Sequence, residues 1–309
     1  MNSLTSLVTT VKFSGKPFVC VRPGIVASFY LTGPLQVACP RIAAALDVYL
    51  SFVGKVSLKS YVADNGDSKP LTDKRLARDM SLMRKLPGSA DEFNLEYSSE
   101  AGAGVGAFGV TVAAREPDQD FPKQTGLVRF EFPDTALADY GEPDLVGVFI
   151  ALANQLKPQS GNAGFGFKRG SGFEDEAIET VNRLLPRYLA FDPCYNDAAD
   201  DMLGHTLTAH WINFLDQDMF ATCGALPALQ KTAPQVLAGS FEHGVVLRSS
   251  RVPPLGDKNL KAADLGSIPD LARFLSPTRI PLSGMGDDEF AVESWLERFD
   301  GLRALPWEN

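Results

Sequence analysis

The sequence predicts an α+β fold, with mixed, largely antiparallel sheets packed with helices, in two halves that share one compact unit. Three observations carry this. Segments of period two and of helical period follow one another as β-α-β-α-β-β-β-α-β-α, so three strands run in succession where a parallel βαβ unit would alternate. The chain has 309 residues, 45% of them hydrophobic, enough to bury a large core. No polar linker divides it, because the one candidate, segment 186–204, carries Leu189, Phe191, Tyr195 and Met202. The expected organisation is an N-terminal tail over residues 1–16, an α+β domain over 17–301 with halves of about 17–187 and 188–301, and a C-terminal tail over 302–309.

In chain order, Phe18 to Leu31 reads as a strand broken by Pro23-Gly24, and Gly33-Pro34 as a turn. Pro40 suits a first helical position. Ile42, Leu46, Tyr49, Leu50 and Val53 then recur at helical spacing until Gly54. Val56 to Val62 reads as a strand and Asn65-Gly66 as a tight turn. Thr72 can cap a helix that places Leu76, Met80 and Met83 on one face. Strands follow at Glu92–Tyr97 and Gly126–Phe132, a helix from Pro143, a strand from Gly161 to Phe167, and a helix from Phe173 to Leu185. Beyond, a β-rich run from His205 to Leu215 ends at a helix-start signal, Asp216. A helical segment, a strand Gly244–Leu247, a helix Pro269–Leu275 and a last helix capped by Asp287 complete the chain. The first sixteen residues lack the basic start and long apolar core of a signal peptide. The apolar runs, such as Ile42–Leu46, fall short of a membrane span, and the expectation is a cytoplasmic protein.

The net charge of −9 is placed unevenly. Residues 1–187 hold 21 acidic and 20 basic side chains, whereas residues 188–309 hold 17 acidic and 9 basic. Between Arg187 and Lys231 there is no Lys or Arg. Such a field disfavours nucleic acid and favours a basic partner.

Groups that could catalyse do not cluster. His205 and His210 are five apart, which points them to opposite sides of a strand and about 140° apart on a helix. His243 has no ligand at metal spacing except Glu242 beside it, so no metal is expected. Gly104-Val-Gly-Ala-Phe-Gly109 fits a dinucleotide-binding pattern. That pattern needs a following helix, whereas Val110–Ala114 is β-like, so the run reads as a Gly-rich turn and no cofactor is expected. The glycines of 161–172 precede a helix without a Gly-Lys-Ser/Thr, and no Gly-x-Ser-x-Gly elbow occurs. Cys20, Cys39, Cys194 and Cys223 are scattered and read as buried free thiols. Trp211 and Trp295 sit among apolar neighbours and read as core, unlike Trp307.

The strand Trp211-Ile-Asn-Phe-Leu215, the loop Leu255-Gly-Asp-Lys-Asn259 and the terminal Trp295-Leu-Glu-Arg-Phe-Asp-Gly301 resemble the C-terminal half of the type VI secretion immunity protein family. The helix Ile42-Ala-Ala-Ala-Leu-Asp-Val-Tyr49, the helix start Leu71-Thr-Asp73 and the strand Gly161-Asn-Ala-Gly164 extend the resemblance over roughly residues 17–301. It implies a non-enzymatic antitoxin. Its partner would be a cognate type VI effector toxin, expected to be a basic nuclease domain and specifically a DNase. No direct binding to nucleic acid or membrane is expected. The alternative is a hydrolase that reverses a toxin's modification. The acid excess after residue 187 places the toxin-binding candidates at Asp197, Asp200 and Asp201, at Asp257, and at Asp287, Asp288 and Glu289, with Trp307 as an aromatic anchor.

Overall fold

The computed structural model describes residues 4–54, 57–86, 88, 90–102, 104–117, 122–170, 172–260, 264–281 and 295–300. Its frame is one sheet of eleven strands in the order β10 (Leu237–Phe241), β11 (Gly244–Arg248), β9 (Ile212–Asp216), β8 (Ser160–Arg169), β2 (Lys16–Leu31), β7 (Gly126–Pro133), β6 (Gly109–Arg115), β5 (Glu92–Ser98), β3 (Ser60–Val62), β4 (Ser68–Pro70), with β1 (Thr9–Phe13) paired to β2. Every pair of named strands is antiparallel, while the isolated bridges Gly166–Asp192 and Thr206–Arg279 are parallel.

The centre is β2 (Lys16–Leu31), lying between β7 (Gly126–Pro133) and β8 (Ser160–Arg169). Pro23 does not break it. The register with β1 ends at Val21 and that with β7 begins at Gly24, so Pro23 falls where the ladder changes partner. Such a position tolerates a residue without an N–H. The helix after β2 starts earlier than its Pro40 suggests. α1 spans Leu35–Val53 with Pro40 inside it, and Glu116 Oε1 accepts from the Leu35 N–H at 2.8 Å, capping the extra turns from 81 residues away.

α1 is long and apolar enough to cross a membrane, which departs from the expectation that no segment is. Its inner face is packed in the core. Tyr49 lies against Phe130 and Phe132, and Phe132 against Phe149 of α4 (Glu142–Leu156). α2 (Asp73–Arg84) begins where Thr72 Oγ1 accepts from the Arg75 N–H, and buries Leu76, Met80 and Met83. β3 (Ser60–Val62) is shorter than expected and turns through Asn65-Gly66 into β4 (Ser68–Pro70). β5 (Glu92–Ser98) and β6 (Gly109–Arg115) flank the Gly-rich run, which ends in a strand. A short helix α3 (Ala136–Tyr140) precedes α4, and α5 (Glu174–Leu184) follows β8.

The second half continues the same sheet. Only the end of the expected 205–215 run, from Ile212, is strand, in β9 (Ile212–Asp216). Thr206, Leu207, Thr208, Ala209 and His210 are all buried, so the run is enclosed on every side instead of alternating. Asp216 caps α6 (Gln217–Thr222) by accepting from the Met219 N–H. α7 (Ala225–Thr232) leads to β10 (Leu237–Phe241), a strand not anticipated, which hairpins into β11 (Gly244–Arg248). α8 (Ile268–Leu275) packs with α6, α7 and β11 in a second cluster that includes Leu189 and Phe299. The expected cap Asp287 lies outside the described residues.

Candidate functional site

The strand registers align six polar side chains in one row across the sheet. Glu96 on β5 is opposite Thr111 on β6, Thr111 opposite Arg129 on β7, and Arg129 opposite Ser28 on β2. Ser28 is opposite Asn162 on β8, and Asn162 opposite Asn213 on β9. Ser28, Arg129, Asn162 and Asn213 are buried, and buried polar groups are retained only when bonded. Segment 186–204 supplies those of Arg129 and Asn162, and residues 208–210 supply those of Asn213. Arg129 Nη1 donates to Cys194 O at 3.1 Å and to Asn196 Oδ1 at 2.8 Å, while its Nε donates to Ser28 Oγ. Asn162 Nδ2 donates to Asp192 Oδ2 at 2.7 Å. Asn213 Oδ1 accepts from the His210 N–H and its Nδ2 donates to Thr208 O. The one segment that was a candidate linker is thus bonded to the centre of the sheet.

Asp192 is the electrostatic pivot. Burial raises its carboxyl, but His210, Arg129, the Cys194 N–H and Asn162 outweigh this and hold it below the ordinary carboxylate value. His210 Nε2 lies 3.9 Å from Asp192 Oδ2, yet burial dominates and lowers the imidazole to about 4. The pair therefore reads as a neutral imidazole beside a carboxylate. Burial pushes all four thiols up, Cys39 to about 11, which leaves them poor nucleophiles. Among the described residues no group of three His, Cys, Asp or Glu side chains could hold a metal ion.

At its β5 end the row opens into a cavity of about 200 Å³, where Glu96, Thr111, Arg129, Glu131, Arg169 and Glu174 meet the glycine-rich run. That run is engaged through its carbonyls. Lys168 Nζ donates to Gly106 O at 3.0 Å and Ala107 O at 2.6 Å, and Arg22 Nε to Val105 O at 3.1 Å. A phosphate cradle presents amide N–H groups instead, so the glycine spacing has a structural use here. Burial pulls the Lys168 amine down to about 8, against the opposing pull of Glu131.

The described C-terminal residues close over the same segment. Trp295 Nε1 donates to Phe191 O at 2.8 Å, and the Arg298 guanidinium lies 3.9 Å from the Trp295 ring centroid. Arg298 also donates to Leu189 O, and Arg279 forms a bidentate pair with Asp300. The Trp-Leu-x-Arg-Phe-Asp run thus holds segment 189–192 in place.

The candidate binding residues fall in different settings. Residues 197–201 form a 3-10 helix beside the row. Asp200 Oδ1 accepts from Gln124 Nε2 at 2.9 Å, and Asp201 is partly exposed. Asp257 is buried, paired through both oxygens with Arg187 at 2.8 Å and held below the usual carboxylate range chiefly by that bond. The side chain of Asp197, and Asp287, Asp288, Glu289 and Trp307 altogether, lie outside the described residues. Trp211 and Trp295 are both buried. The row and its cavity had no counterpart in the sequence reading. Their one signal was a polar residue inside an apolar strand, as with Ser28 and Arg129.

Fold and site together define a protein whose described polar interior is spent on holding loops. A family model described as TsiV, type VI immunity for VRR-NUC, matches residues 41–309. The chain belongs to this family of type VI immunity proteins. A solved structure, the Pseudomonas aeruginosa T6SS protein PA0821, superposes with a TM-score of 0.78 at 18% identity, covering 95% of this chain and 87% of that one, and so shares the fold. No curated protein matches.

Proposed function

We propose that this chain binds a type VI effector of the VRR-NUC class, a nuclease and specifically a DNase, and neutralises it as a stoichiometric inhibitor in the cytoplasm of the producing cell. The family match over residues 41–309 carries the reading. Two physical features support it. The acid excess after residue 187 suits a basic cleft built to hold phosphates. The histidine and the cysteine nearest the buried carboxylate Asp192, His210 and Cys194, are held in their neutral forms by burial.

Within that reading, the residues that dock are acidic side chains after residue 187. Asp257 is committed to Arg187 and Asp300 to Arg279. Asp257 is accordingly the weaker candidate, and the dock is formed by Asp197, Asp200 and Asp201 beside the polar row and by Asp287, Asp288 and Glu289, with Trp307 as the anchor. Titrating the purified chain against the nuclease tests the whole. Cleavage ends at one-to-one stoichiometry for an inhibitor, whereas protection by a small fraction of the toxin concentration makes the chain an enzyme.

A further inference from the structure

The two ends of the sheet are built differently. β4 is three residues long and carries Lys69 and Pro70, which guard an edge by charge and by a missing donor. β10, at the other end, is the five-residue run Leu237-Ala-Gly-Ser-Phe241, with no charge and no proline. Leu237, Ala238, Gly239 and Ser240 are all exposed, Leu237 by 49%.

The phase of the ladder fixes which of its backbone groups are open. Asp216 N donates to Gln159 O on the β8 side, and Ser249 N donates to Trp211 O. Peptide groups alternate along a strand, so Leu215 turns to β11 and its partner Val245 to β9. Gly244, Val246 and Arg248 then turn to β10, where they face Phe241, Gly239 and Leu237. The N–H and C=O groups of Ala238 and Ser240 are left pointing out of the sheet.

We propose that this edge pairs with β10 of a second copy of the chain, antiparallel about a two-fold axis at Gly239. In that register Ala238 of each copy meets Ser240 of the other, and the four outward groups of each copy are satisfied. Gly239 meets its own equivalent in a non-hydrogen-bonded pair, the closest approach in an antiparallel ladder at about 4.5 Å between Cα atoms. Leu237 comes to lie opposite the second copy's Phe241. The strand is symmetric about Gly239 in the features that matter: small residues on either side, apolar residues beyond, and no charge to oppose its own image. A self-pairing edge needs these matches, whereas a foreign strand would have to supply them. A five-residue ladder is small beside the roughly 1,200–2,000 Å² of stable interfaces, so the dimer is concentration-dependent.

Sedimentation velocity over a roughly hundredfold concentration range tests this by mass action. The wild type passes from monomer to dimer. Ser240→Pro removes an outward N–H that the protein's own ladder does not use, and Ala238→Lys places a charge at the edge. Each raises the dimer dissociation constant by at least about tenfold, with circular dichroism unchanged. Amide exchange gives a second readout, since the Ala238 and Ser240 N–H groups slow only as concentration rises. A wild type that stays monomeric throughout overturns the proposal, as do folded variants that dimerise like the wild type. Loss of effector binding by the variants of a monomeric wild type also overturns it, and assigns the edge to the effector.

Discussion

The indole N–H of Trp295 bonds to the backbone carbonyl of Phe191 across a separation of 104 residues. Phe191 itself stacks on Phe165 at 5.3 Å and tilts onto Phe167 at 4.6 Å, so this one bond joins the end of the described chain to β8.

The two contributions of Trp295 are separable. Trp295→Phe should lose the hydrogen bond and leave the Phe191 carbonyl unsatisfied, a loss of about 1–3 kcal/mol. Trp295→Ala should also leave a cavity and lose about 3–5 kcal/mol. Urea unfolding of both variants distinguishes them: a Phe variant as stable as the wild type would mean that the bond contributes nothing, and equal losses that the ring adds nothing beyond the bond.

Gly24 leaves the space that Lys168 crosses. A Cβ at position 24 would stand 2.4 Å from Phe132 O and 2.6 Å from Lys168 Cε. One clash is with backbone, so a side-chain shift cannot relieve it. Gly24→Ala should destabilise by more than the roughly 1 kcal/mol at which ordinary point substitutions centre. Lys168→Met in the same background should restore little. A stable Gly24→Ala protein would contradict this account of the approach.

Stability should fall on the acid side through His210. Its folded value, about 4, lies below the ordinary 6.5, so the folded protein resists protonation that the unfolded chain accepts. The contribution is fully present above pH 6.5 and is lost as pH falls from there toward about 4, amounting to about 3 kcal/mol at most. Unfolding midpoints of the wild type and His210→Gln across this window check the sign. The variant should show a flatter slope between these pH values.

For the interface, reversal to Lys at Asp200 and Asp201, or at Asp287, Asp288 and Glu289, should slow effector association most at low salt. Reversal at Asp257 should act mainly on stability, because it breaks the pair with Arg187. If no acidic cluster alters the association rate or affinity at low salt, the proposed docking through the acidic residues is overturned.

Local chemistry was legible where neighbouring residues decide it. Thr72 and Asp216 cap helices as their side chains suggest, and the face of Leu76, Met80 and Met83 is buried. Pro40 misled because its position within α1 is secured by Glu116, 81 residues from the N–H it caps. β10 was missed because Leu-Ala-Gly-Ser has little β-propensity, and its strand conformation comes from its pairing with β11. The polar row was illegible for a related reason. Its six members come from six strands, and nothing in one strand announces the register of the next.

The placement of β2 also sets a schedule. It is among the first strands to be synthesised, yet its two long neighbours, β7 and β8, come from residues 126–133 and 160–169. At bacterial elongation rates that is a delay on the order of ten seconds, during which β1 can cover only the start of β2 and its apolar stretch from Gly24 to Leu31 has neither flank paired. Such non-local pairing also folds slowly once complete. A chain begun when a toxin arrives is at least that long from pairing its central strand, so immunity in that interval draws on molecules finished beforehand.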